Sequence, residues 1–315
     1  MCYERSFFSN LYFLEEESAN KTIHVKAMDR LVEKLQPVSE FLENIQDVLD
    51  FEGWELYSQF ATTRGLGRNA MISAILSGLW GIHATLLVLF TLERLGISSS
   101  GILDGDRLAM ACQWCFYVCT MTSFHLLEFF TTAVFNPTVT SSESYLVNHS
   151  KAYTAAFIIA FLEFWIRFAF VPRASLIAFA VGALLVVVAQ IIRSSAMITC
   201  GESFNHLIQT AKKENHTLIT HGIYKYLRHP SYVGFYYWSI ATQLVLNNWF
   251  SVCMFSAASW MFFRRRIPYE EESLLQLFPD EYAGYAKRTW VGIPFIPNII
   301  PKWEKAAESE EKKDK

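Results

Sequence analysis

One stretch limits what this chain can fold into more than any other: "ASLIAFAVGALLVVVAQII", Ala174 to Ile192. It carries no charge, and a helix of about 20 apolar residues is what a hydrocarbon core of ~30 Å requires. Five more apolar runs accompany it. The six predicted spans are Ala70–Leu92, Leu108–Val134, Ala152–Val171, Ala174–Met197, Tyr232–Leu246 and Trp249–Phe263. Only Pro172 and Arg173 separate the third from the fourth, which predicts a tight antiparallel hairpin. The last two runs meet at Asn247-Asn248 and predict a second hairpin. The expected fold class is therefore all-α, a multi-span integral membrane protein of about six spans.

Composition agrees. The 315 residues are 52% hydrophobic and 18% charged, whereas a soluble domain carries about a quarter charged residues. A net charge of −3 gives no basis for nucleic-acid binding. The six cysteines form no secreted disulfide framework. Cys112, Cys115 and Cys119 share one face of a span with His125 a turn further on. A structural zinc needs four ligands, so packing is the favoured reading and no metal is expected.

The start, "MCYERSFFSNLYFLEEE", has no long apolar core and reads as no cleavable signal. Residues 1–68 suggest short amphipathic helices broken at Pro37, residues 69–297 a membrane-embedded domain, and residues 298–315 a charged, solvated tail. Lys225, Arg228, Arg264, Arg265 and Arg266 flank the last hairpin and place its ends in the cytosol. Counting back puts Arg64 and Arg68 there too, with both termini cytosolic. Asn148-His149-Ser150 fits the glycosylation pattern but falls on the cytosolic side, where it should stay bare.

Polar residues concentrate in two segments around the last hairpin. The first is "TCGESFNHLIQTAKKENHTLITHGIYKYLRHP", Thr199 to Pro230, with a turn at Gly222 and Pro230 suited to the first position of a helix. Alone it reads as a loop returning to the bilayer, with Tyr and Arg as interfacial anchors. The second is "RRRIPYEEESLLQLFPDEYAGYAKRTWVGIPFIP", Arg264 to Pro297. Here Pro268 is expected to start a helix whose first turn holds Glu270, Glu271 and Glu272, and Trp290 to Pro297 to form a strand-like end. Arg266 and Glu270 would share a face only if the helix ran unbroken between them. The charges inside spans, Glu128, Glu163 and Arg167, are read as packing or gating residues.

Taken together, "RHPSYVGFYYW" and the later Arg266…Glu270-Glu271-Glu272…Glu281-Tyr282…Tyr285 pattern resemble the isoprenylcysteine carboxyl methyltransferase family. "FHLLEFFTTAVFNP", "LVNHSKAYTAAF" and "HTLITHGIYKYLRHPSY" extend the resemblance over roughly residues 110–297. Eukaryotic members usually carry two further spans before this region, and residues 1–68 show none.

The resemblance implies methyl esterification of the C-terminal isoprenylcysteine of farnesylated or geranylgeranylated CaaX proteins, of the small-GTPase kind. It implies S-adenosylmethionine as cofactor and an endoplasmic-reticulum site facing the cytosol, and leaves homo-oligomers open. It carries the cofactor contacts onto Gln209, His216, Thr217, Leu218, Ile219, Tyr224, His229, Pro230, Ser231, Tyr232 and Glu270. Arg266 takes the substrate carboxylate and, with Arg228, the catalytic assignment. An arginine suits a carboxylate by its forked donors, and a helix N-terminus at Pro230 suits an anionic group. No G-x-G-x-x-G follows a strand, so the soluble route to this cofactor is absent. Three rivals remain: a phospholipid N-methyltransferase of the same superfamily, a sterol reductase lacking its usual Cys-Lys-Tyr-Gly end here, and a transporter or receptor.

Overall fold

The computed structural model describes residues 62–98, 100–147, 151–205 and 217–296. The expected amphipathic N-terminal helices, Asn148 and the charged tail lie outside them. The described α-helices are α1 (Leu66–Arg94), α2 (Gly105–Phe135), α3 (Lys151–Phe170), α4 (Leu176–Cys200), α5 (Pro230–Leu246), α6 (Trp249–Leu277) and α7 (Tyr282–Arg288). No strand occurs among the described residues; a single parallel bridge joins Leu227 to Trp290. Helices are the economical answer for such runs, because lipid leaves backbone groups no partner outside the segment.

Four helices, α1 to α4, are long and apolar enough to cross a membrane. Their outward faces carry large apolar side chains such as Ile82, Val88, Ile166, Leu184 and Ile191, all more than half exposed. The helix ends follow local chemistry. Asp104 caps α2 by accepting from the Arg107 amide at 2.8 Å, and Ser175 caps α4 by accepting from the Ala178 amide at 3.3 Å. Pro230 opens α5, and Asn247 closes it in the left-handed region at φ 56°.

Two further expectations need correcting, beside the strand-like end expected at Trp290 to Pro297, whose described residues form only the Trp290 bridge and a turn. The third and fourth helices do not pair as a hairpin; α4 packs chiefly on α5. Glycine explains the choice. A Cβ on Gly182 would lie 2.7 Å from the Val245 nitrogen, and one on Gly234 would lie 2.8 Å from the Ala189 oxygen. The α4 and α5 backbones therefore approach as only small residues allow. Second, Pro268 does not start a helix but sits inside α6, which runs unbroken to Leu277. Buried Phe263 and Ile267 before it and Glu271 and Leu275 beyond it hold both halves against the protein. That outweighs the lost backbone bond. The α5–α6 hairpin is as expected, and the core beneath it joins Phe124 of α2, Phe164 of α3, Val186 of α4 and Trp238 of α5.

Candidate active site

The open end of the α5–α6 hairpin brings three chemical groups together. Tyr232, in the first turn of α5, donates its hydroxyl proton to Glu270 Oε2 at 2.5 Å and accepts from Arg266 Nε at 2.8 Å. Pro268 has therefore not turned Arg266 and Glu270 apart; the tyrosine bridges them. The Arg266 guanidinium lies over the Tyr232 ring, 5.3 Å from its centroid. The His229 imidazole also stacks parallel to that ring, with centroids 5.5 Å apart and Nδ1 3.9 Å from Glu270 Oε1.

A buried ion cluster lies behind this bridge. Arg228 Nε donates to Glu271 Oε1 at 2.8 Å, and its Nη1 donates to the carbonyls of Ala286 and Thr289 at 2.5 and 2.6 Å. These carbonyls end α7, where a cation is favoured. The Arg228 amide adds a bond to the Trp290 carbonyl at 2.8 Å. Arg228 thus latches the C-terminal segment onto the entrance of α5. Burial would push the Glu271 carboxyl up. The hydrogen bond from His229 and the charges of His229 and Arg228 outweigh it, and the net shift is downward.

A second buried pair supports the site from α2 and α4. Arg193 of α4 holds Glu128 of α2 through two bonds of 2.7 and 2.8 Å, and its Nη1 donates to the Ser231 hydroxyl at 2.6 Å. Both side chains are about nineteen-twentieths buried or more. From sequence alone Glu128 reads as a packing or gating residue, and Arg193 is not singled out. The available signal was a lone arginine inside the apolar run of α4, which demands a buried partner.

These elements line one cavity of about 180 Å³. Thr217, Leu218, Ile219, Tyr224, Arg228, His229, Ser231, Tyr232, Arg266 and Glu270 all reach it, as do Arg193, Phe235, Phe263 and Tyr282. Pro230 starts the helix beneath it. Gln209 and His216 lie outside the described residues. One rim, Ser203 to Asn205, is tied back by Asn136 at the end of α2, whose Nδ2 donates to the carbonyls of Glu202 and Phe204 at 3.1 and 2.8 Å.

An apolar helical bundle whose largely apolar cavity also carries an arginine, a carboxylate and a helix N-terminus defines an integral membrane protein with a charged pocket. Comparison with known proteins narrows the class. Residues 181–276 match the model of the isoprenylcysteine carboxyl methyltransferase (ICMT) family. A protein-S-isoprenylcysteine O-methyltransferase of Dictyostelium discoideum is 45% identical over 183 residues, 57% of this chain and 76% of that protein. The Mus musculus protein of the same name is 38% identical over 231 residues, 70% of this chain and 82% of that protein. A solved structure of the eukaryotic intramembrane Ras methyltransferase ICMT superposes with a TM-score of 0.63 at 32% identity, covering 87% of this chain and 89% of that one. The chain belongs to the isoprenylcysteine carboxyl methyltransferase family: it is a membrane methyltransferase acting on isoprenylcysteine.

Proposed function

We propose that this protein uses S-adenosylmethionine to methylate the C-terminal carboxylate of farnesylated or geranylgeranylated CaaX proteins, at the cytosolic face of the endoplasmic reticulum. The observation that carries this reading is the Tyr232 bridge, which sets Arg266 and Glu270 in one cavity. The donor set fits the cofactor. Glu270, its side chain 25% exposed, can accept from an ammonium or from ribose hydroxyls. Leu218 and Ile219 offer an apolar wall, and the first turn of α5 favours a carboxylate. Gln209, His216, Thr217, Tyr224 and His229 to Tyr232 complete the proposed contacts. When bound, S-adenosylmethionine supplies a methyl group on a positively charged sulfur, open to displacement by an oxygen nucleophile.

The chain's own residues do the rest. A carboxylate is already ionised near neutral pH, so no general base is required. Arg266 orients it through forked donors. Phe235, Phe262 and Phe263 line the same cavity, exclude water around the nucleophile and suit a prenyl chain arriving from lipid. Arg228 acts as a positioning residue through Glu271, since its Nε and Nη1 are directed at protein groups. We place α5 and the first half of α6 as the fifth and sixth spans, within a membrane-embedded domain at residues 69–297. Both termini are then cytosolic, and protease access to the tail in sealed microsomes checks this.

The test uses purified protein in detergent, methyl-labelled S-adenosylmethionine and N-acetyl-S-farnesylcysteine. Wild type forms a base-labile methyl ester. Arg266→Ala and Glu270→Ala each lose about a hundredfold or more, the order expected for a group acting on the reacting charges. Ester formation surviving both changes rejects the site. Label passing to phospholipid in place of farnesylcysteine rejects the substrate and selects the phospholipid methyltransferase. NADPH oxidation selects the reductase.

A further inference from the structure

Tyr282 is the most deeply buried phenol in the cavity wall and has no assigned role. It opens α7, is 1% exposed, and lines the cavity beside Glu270 and Leu218. It shares a buried cluster with Leu275 and Phe278, against which Leu218 and Leu274 pack, and its ring tilts 58° against Tyr285 with centroids 5.9 Å apart. All of that is available to a phenylalanine. The hydroxyl is what needs explaining, because it is buried and meets no hydrogen-bond partner. A buried hydroxyl left unpaired is costly, and proteins pair nearly all of them.

The neighbouring tyrosine sharpens the point. The Tyr285 hydroxyl, three residues on, donates to the Tyr224 carbonyl at 2.8 Å and is accounted for by the fold. Burial, followed by the negative charge of Glu271, pushes the Tyr282 phenol well above its ordinary value, so it stays protonated and able to donate.

We propose that Tyr282 is a further ligand-binding residue, whose hydroxyl hydrogen-bonds the nucleoside end of S-adenosylmethionine. This rests on the cofactor reading above. The surroundings select that end: Leu218, Leu274 and Phe278 form an apolar slab for a flat heterocycle. The carboxylate of Glu270 and the N-terminus of α5 suit the ribose and the charged amino-acid end. The free-state hydroxyl is unpaired because its partner is the ligand.

The experiment compares wild type with Tyr282→Phe and Tyr285→Phe in detergent. It measures binding of S-adenosylhomocysteine and of 5′-methylthioadenosine, which keeps the nucleoside and lacks the amino acid, and the thermal midpoint without ligand. Tyr282→Phe is expected to weaken both ligands about tenfold, the order of one lost hydrogen bond to a ligand, with an unchanged or higher midpoint. In turnover KM for S-adenosylmethionine rises by the same factor while kcat holds. Tyr285→Phe is expected to lower the midpoint instead. Unchanged affinity for both ligands in Tyr282→Phe overturns the proposal. Loss confined to S-adenosylhomocysteine overturns the nucleoside assignment. A wild type that binds neither ligand overturns the cofactor reading and this inference with it.

Discussion

The two ends of the α5–α6 hairpin use polar side chains in opposite ways. At the closed end, Glu163 of α3 accepts from the amides of Phe250 and Ser251 at 3.0 and 2.8 Å and caps the start of α6. One turn later Arg167 donates to the carbonyls of Leu246 and Arg173 at 3.0 and 2.8 Å and caps the end of α5. Asn248 adds a bond to the Ala160 carbonyl at 2.8 Å. This carboxylate and this guanidinium satisfy backbone groups that a helix end leaves orphaned. At the open end the same residue types serve one another across a cavity, with Glu270 partly exposed and the Tyr282 hydroxyl unpaired. Around one hairpin, then, the charges committed to backbone build the scaffold, and those left facing a cavity are the ones proposed to meet the ligand.

The largest break in that contrast comes from beneath the open end. Glu128→Ala leaves Arg193 buried without its counter-charge, at a cost of about 3–5 kcal/mol. The thermal midpoint in detergent should fall sharply or folding should fail. A Glu128→Leu, Arg193→Met double variant replaces the pair by apolar volume and should fold, yet lose methyl transfer, because Ser231 loses the donor that positions it. Full activity in the double variant would move Arg193 to the scaffold side. Next in size is the closed end. Glu163→Ala leaves two amides and the Ser251 hydroxyl without their acceptor and should cost about 1–3 kcal/mol of stability. KM for either substrate should hold. A rise in KM would show that the turn is coupled to the site and that the two ends are not separable.

How far the sequence disclosed this division depends on the kind of signal. Apolar length gave α1 to α4 within a few residues, since burial in lipid leaves a continuous hydrophobic run. Pro230 and Gly222 marked their turn because each acts on its own backbone. Pairing was harder to read. The short Pro172-Arg173 link suggested a hairpin, but Gly182 and Gly234 decide that α4 packs on α5, and a glycine's effect depends on a neighbour the sequence does not name. Pro268 misled for the same reason: its local preference for a helix start yielded to packing on both flanks. Within the site, motif residues came forward because they cluster in the chain. Arg193 and Glu128 stand 65 positions apart on different helices, and only the fold joins them. Tyr282 stood inside the quoted motif, but an unpaired hydroxyl is a property of the folded state alone.

The smallest effect tests the latch behind the open end. The Glu271 carboxyl is held below its ordinary value of 4.5, because the hydrogen bond from His229 and the charges of His229 and Arg228 outweigh its burial. A carboxyl depressed in the folded state binds fewer protons there than in the unfolded chain. Its stabilisation is therefore present above the ordinary value and is lost as pH falls through the folded one. The thermal midpoint of wild type should decline as pH drops from about 5 toward about 3, in the window a depressed carboxyl defines. Glu271→Gln should start lower at neutral pH and show a flatter decline, since the titrating group is gone. Arg228→Met should flatten the decline only in part, because one of the two groups holding the carboxyl down is gone while the hydrogen bond and charge of His229 remain. An acid decline of full slope in Glu271→Gln would assign the loss to another carboxylate. The Arg228–Glu271 cluster would then be a neutral packing contact in effect, and the C-terminal segment would be held over the cavity by the Trp290 and Tyr285 backbone contacts instead.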